Sequence, residues 1–78
     1  MEQYQEIQNA VLDQLQKDEA TAVFNLWFKD LVLESIEGNV VTLSINSEFK
    51  QRILTEHHLE KLANRFEAVL GFPVKVKI

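Results

Sequence analysis

Adjacent His57-His58 are the only histidines in the chain and its first candidates for chemistry. Neighbouring residues on a helix point about 100° apart, whereas helical metal pairs favour an i,i+4 spacing. Glu56 and Glu60 flank the pair without completing a recognisable ligand set. Cysteine is absent, which excludes disulfides, thiolate nucleophiles and cysteine-based zinc sites. Carboxylates are plentiful, but none is marked by its neighbours as a raised-pKa general acid. Asp18-Glu19 reads as the start of a helix, where negative charge meets the helix dipole favourably. No serine or threonine has a base placed to activate it. The two glycines are isolated, so neither a phosphate-cradling loop nor the Gly-x-x-Gly clamp of nucleic-acid-binding KH modules is present. These residues imply a protein that is not an enzyme, carries no cofactor or metal and takes no small-molecule substrate.

Function must then reside in surfaces, and three short segments stand out. Phe24-Asn25-Leu26-Trp27-Phe28-Lys29 is aromatic-rich, Ile36-Glu37-Gly38-Asn39 is a hairpin turn, and Asn46-Ser47-Glu48-Phe49 is a helix start. Trp27, spaced with Phe24, Phe28 and Leu31, is expected in the core, although tryptophan is also enriched at interface hot spots. Phe49 falls in the first turn of its helix beside polar Asn46, Ser47, Glu48 and Lys50. It could serve the core or stand exposed as a partner anchor.

The elements that position these residues follow from periodicity. Tyr4, Ile7, Val11 and Leu15, with Leu12 beside them, form one face of an amphipathic helix over residues 2–17. Asp18 is expected to cap or break the chain before a second helix over 19–30, which buries Val23 or Phe24, then Trp27, Phe28 and Leu31. The period then changes to that of strands. Residues 32–36 and 40–45 flank Glu37-Gly38-Asn39, where Gly38 supplies the positive φ of a tight hairpin. Val41, Leu43 and Ile45 should face the core, and Thr42 and Ser44 the solvent. Asn46 or Ser47 caps the next helix. Its pattern loosens near Thr55-Glu56-His57, where a bend or break is expected, and resumes as Leu59, Leu62, Ala63, Phe66, Val69 and Leu70. Gly71 suits a helix terminus, Pro73 blocks continuation, and Val74, Val76 and Ile78 alternate with lysines as a third strand. The fold class is α+β, with element order α-α-β-β-α-β and a three-stranded sheet covered on one face by helices. Periodicity leaves open which strand the last one joins.

At 78 residues, 46% hydrophobic, the chain makes one domain over 1–78, with core enough for a compact fold but not for a deep pocket as well. No apolar run approaches the roughly 18 residues of a membrane span, and no signal peptide is visible. The lack of cysteine fits a reducing cytoplasm. The net charge of −4 is uneven: residues 1–48 carry a net −7 and residues 49–78 a net +3. Strong nucleic-acid binding is disfavoured by this total. A weak single-stranded contact through Lys50, Arg52, Lys75 and Lys77 is the alternative the asymmetry allows.

Taken in order, these landmarks resemble the N-terminal domain (domain I) family of the bacterial chromosomal replication initiator DnaA. The resemblance runs from Ile7 to Lys77 without gaps. It rests on Val11-Leu12 and Leu15, Phe24-x-x-Trp27-Phe28-Lys29, Ser35-Ile36-Glu37-Gly38-Asn39, Asn46-Ser47-Glu48-Phe49, Leu70-Gly71 and Val74-Lys75-Val76-Lys77. It implies a KH-like fold and a protein-interaction hub. Such a hub helps recruit the replicative helicase, docks initiator regulators, associates with other initiator copies and in some members touches single-stranded DNA weakly. A free-standing regulator that mimics the domain is a further alternative. Phe49 matches the phenylalanine of the family's Pro-Asn-x-Phe motif linked with helicase binding, with Asn46-Ser47 standing for Pro-Asn. Val23 stands where some members carry a helicase-contacting glutamate. Gln8, next to Ile7, replaces a first-helix tryptophan that often supports dimerisation, and His58 replaces a frequent aromatic. The partner-binding set is thus Val23, Asn46, Ser47, Glu48 and Phe49, with Ile7 and Gln8 for self-association.

Overall fold

The computed structural model describes residues 2–78. Helix α1 (Glu2–Asp18) buries Val11 and Leu15 completely, with Tyr4, Ile7 and Leu12 at the rim of the core. The second helix is shorter than its periodicity predicts. It begins as α2 (Thr21–Val23) and widens at once into a π turn (Phe24–Phe28), marked by the i→i+5 bond from Lys29 N–H to Phe24 O at 3.0 Å. Phe24 and Phe28 are carried inward. Asn25 and Leu26 face solvent.

Asp18 does not cap this second helix. Ala20 occupies the cap position with no side-chain bond. Asp18 instead ends α1, at the negative pole of that helix dipole, and a cation offsets the misplacement: Arg65 Nη2 lies 3.0 Å from its Oδ2. Lys61 pairs with Glu19 at 2.9 Å. The two acids therefore tie the α1–α2 turn to the helix carrying those bases, a packing no local rule foresees.

Strands β1 (Val32–Glu37) and β2 (Val40–Ser44) form the antiparallel hairpin. Gly38 has φ 59°, and among the described residues none other than glycine has positive φ, so the positive value falls on the first central residue alone, as in a type II′ turn. The register breaks between Leu33 and Ser35, leaving Glu34 as a bulge whose carboxylate accepts a 2.6 Å bond from Ser44 Oγ. Leu33, Val41 and Leu43 point into the core, with Ile36 and Ile45 partly buried beside them.

The third helix breaks, one residue later than its pattern suggests. Helix α3 (Glu48–His57) and helix α4 (Leu59–Leu70) are separated by His58 at φ −127°, ψ 2°. Helix α4 ends at Gly71 in the left-handed region, φ 86°, with its N–H bonded to Glu67 O at 2.8 Å. Strand β3 (Lys75–Lys77) then pairs parallel to β2, giving the sheet order β1-β2-β3. A parallel partner needs a crossover of a dozen residues or more, which α3 and α4 provide.

That β3 joins β2 rather than the outer edge of β1 has a physical cause in α1. Ile36 N–H donates to Tyr4 Oη at 3.2 Å, Tyr4 Oη approaches Ile36 O at 3.4 Å, and Leu33 N–H donates to Gln8 Oε1 at 2.9 Å. The outer edge of β1 is thereby occupied by two side chains one helical turn apart. The third strand is shorter than its alternation predicts because both flanks are otherwise engaged. Val74 N–H donates to Glu67 Oε2, and Ile78 O accepts from Gln51 Nε2. Helices cover one sheet face. The other presents Val32, Ser35, Thr42, Ser44, Lys75 and Lys77. The enclosed core centres on Phe28, Leu15, Leu54, Leu62 and Val41.

Candidate partner-docking surface

Ser47 sets the start of α3. Its extended backbone (φ −145°, ψ 120°) turns the chain, and its Oγ accepts a 3.2 Å bond from Lys50 N–H, one of the donors a helix start leaves unpaired. Glu48 adds a negative charge to the first turn, where the dipole favours it. A stiff helix start thus holds Phe49, which is 57% exposed. Asn46 and Glu48 stand exposed around it.

Phe49 is the outer member of a series of rings that descends into the core. Its centroid lies 6.2 Å from that of Trp27, Trp27 lies 6.3 Å from His58, and His58 meets Phe28 edge-on at 5.4 Å. Phe28 is wholly buried. Arg52 Cζ sits 5.9 Å from the Phe49 ring centre, within cation–π range, and Lys61 Nζ lies at the same distance from Phe28. Trp27 is not an enclosed core residue. One residue from Phe28 on the π turn, it is rotated toward the rim, where it packs partly buried between Phe49 and His58.

Leu26, 51% exposed, adds a second apolar group on the same π turn. The periodicity could have shown it, since two residues from Phe24 is the opposite side of a helix. Val23 packs partly against the core. Beside Phe49, the outer face of α3 forms a groove of about 380 Å³ lined by Glu48, Gln51, Arg52, Thr55 and Glu56.

The histidines part company. His57 is exposed, 3.8 Å from Glu56. His58 is partly buried, and burial, reinforced by Lys61 and His57 and opposed by Glu19, lowers its pKa below the usual 6.5. No group of three or more potential metal ligands occurs among the described residues.

The four candidate nucleic-acid bases are divided between two surfaces. Arg52 lies over Phe49 and Lys50 is partly buried on α3. Lys75 and Lys77 stand on the open sheet face, in register with Val40 and Thr42. Glu37 shares with Lys77 a depression of about 400 Å³, also lined by Ser35, Val40 and Thr42, so a carboxylate offsets the lysine charge there. No strand residue on that face is aromatic. Gln8 and Ile7, the self-association candidates, are engaged within the molecule: Gln8 on the β1 edge and Ile7 against the core.

Among the described residues, no helix is long and apolar enough to cross a membrane. Residues 5–68 match the family described as the DnaA N-terminal domain. Proteins named chromosomal replication initiator protein DnaA are similar to the chain. That of Treponema pallidum strain Nichols is 27% identical over 73 residues, covering 94% of this chain and 16% of that protein. That of Nostoc sp. strain PCC 7120 is 28% identical over 68 residues, covering 87% of this chain and 15% of that protein. The chain spans about a sixth of the length of these relatives.

Proposed function

The chain belongs to the DnaA N-terminal domain family, and on that premise we propose that it is a protein-docking module of replication initiation, with Phe49 as the anchor that meets the replicative helicase. One observation carries this reading: a phenylalanine left 57% exposed on a capped helix start and backed by Trp27. A large apolar ring in water is costly unless something covers it. Because the ring is already placed, a partner that covers it forfeits little ordering entropy. Asn46, Ser47 and Glu48 supply the polar rim, Arg52 can pair with a partner acid, and Leu26 with Val23 extends the apolar area toward the π turn.

The partners are macromolecular: the replicative helicase, initiator regulators and other copies of the initiator, in the cytoplasm. A single phenylalanine and its rim give weak affinity. An oligomeric initiator facing a hexameric helicase multiplies such contacts through avidity.

The test is a comparison of wild type with Phe49→Ala for binding of the cognate helicase. Truncating a hot-spot aromatic should cost about 2 kcal/mol or more, a loss of roughly thirtyfold in affinity. Urea unfolding of both proteins controls for folding. Equal affinity in a folded variant removes Phe49 from the role.

A further inference from the structure

We propose that His58 is a proton-sensitive prop beneath the docking surface: on gaining a proton its ring leaves the slot between Trp27 and Phe28, Trp27 loosens, and Phe49 loses the surface it leans on. This regulation rests on the reading of Phe49 as the anchor. It deepens that reading by making partner affinity fall as pH falls.

Placement is the first support. His58 is the single non-helical residue between α3 and α4, and its side chain lies between the exposed half of the ring series and the buried half. Its backbone is held on both sides: its N–H donates to Leu54 O at 2.9 Å, and its carbonyl accepts from Leu62 N–H at 3.0 Å. The imidazole can therefore move while both helices stay formed. The ring is partly buried and packs against Trp27 on one side and Phe28 on the other.

The charges around the ring set the direction. Lys61 on α4 and His57 on α3 both repel a positive imidazolium. Glu19, in the α1–α2 turn, attracts it but is already paired with Lys61 at 2.9 Å. Cation–π attraction to the neighbouring rings favours the charged form. Burial and the two positive neighbours lower the ring's pKa below its ordinary value. A neutral ring fills an aromatic slot, whereas a protonated one gains by turning to water.

Trp27 is the only tryptophan in the chain and touches His58, so its fluorescence reports the switch directly. The whole chain is titrated from about pH 8 to about pH 5, across the range in which histidine changes charge. Circular dichroism at each step checks that the helices persist. Wild type should show a sigmoidal change in emission with a midpoint below 6.5. His58→Phe keeps a ring in the slot without a titratable group and should abolish the change. His57→Gln should retain it. If His58→Phe does not fold, His58→Gln takes its place. Helicase binding measured at both ends of the range should weaken severalfold in wild type relative to His58→Phe.

A flat wild-type emission curve, or the same curve in His58→Phe, overturns the proposal. A titrating Trp27 with helicase affinity that shifts equally in both proteins overturns the regulatory part. If helicase fails to bind at any pH while Trp27 still titrates through His58, the anchor reading fails and the regulatory role fails with it, while the proton-sensitive ring contact is upheld.

Discussion

Gln8→Ala tests whether α1 is fastened to the sheet by side-chain bonds to an edge strand. Gln8 Oε1 accepts from Leu33 N–H at 2.9 Å. Leu33 is only 5% exposed, so water is a poor substitute for the missing acceptor. The lost bond is worth about 1 kcal/mol, and stranding a buried donor raises the cost to about 1–3 kcal/mol. Alanine's better helix propensity returns a few tenths. The net loss is about 1–2.5 kcal/mol, against a total stability of about 4–12 kcal/mol for a chain this size. The melting temperature should fall by about 4–8 °C for each kcal/mol. Urea unfolding, with an unchanged denaturant slope, measures the loss, and hydrogen exchange at the Leu33 amide locates it. Gln8→Glu keeps an acceptor and should retain most of the stability near neutral pH. If Gln8→Ala unfolds at the wild-type urea concentration with Leu33 still protected, the edge is not held in this way. If it instead stays as stable and loses self-association by sedimentation, Gln8 is an interface residue.

Three further outcomes follow from burial, backbone and charge. Phe28→Ala empties the largest fully buried site and should cost about 3–5 kcal/mol, enough to unfold much of the population; Trp27→Ala, at the rim, should cost less, and paired urea titrations rank them. Gly71→Ala meets no atom within 4 Å, so its cost is backbone strain at φ 86°, about 1–2 kcal/mol, and Gly71→Asn should lose less by the same assay. The folded state holds His58 below its unfolded pKa, so below 6.5 the unfolded chain binds more protons and stability falls with pH down through the folded value; the urea midpoint should drop over that window in wild type and change less in His58→Phe.

What was legible from one end of the chain to the other was short-range. Apolar spacing marked the inward faces of α1 and α4, because a helix repeats its surface every three to four residues. Gly38 and Gly71 announced a turn and a helix end, because left-handed backbone penalises any side chain. Ser47 announced a helix start, because its oxygen reaches a donor three residues on. Phe49 stood out as a candidate anchor because its neighbours are polar.

Tertiary structure decided what depends on residues far apart in the chain. Tyr4 and Gln8 reach strand positions 32 and 25 residues away, and only the folded arrangement shows that they close one sheet edge and leave β3 the far side of β2. Asp18 and Glu19 read locally as a helix start, yet Arg65 and Lys61 hold them at a helix end instead. His58 reads in the sequence as one of a histidine pair at a position often aromatic in the resembled family, but only the break between α3 and α4 shows that it sits against Trp27 and Phe28. Backbone preference and side-chain period act within a few residues and can be read in one dimension. Edge closure, ion pairing across helices and the burial of one ring against another depend on the path of the whole chain, which no local pattern encodes.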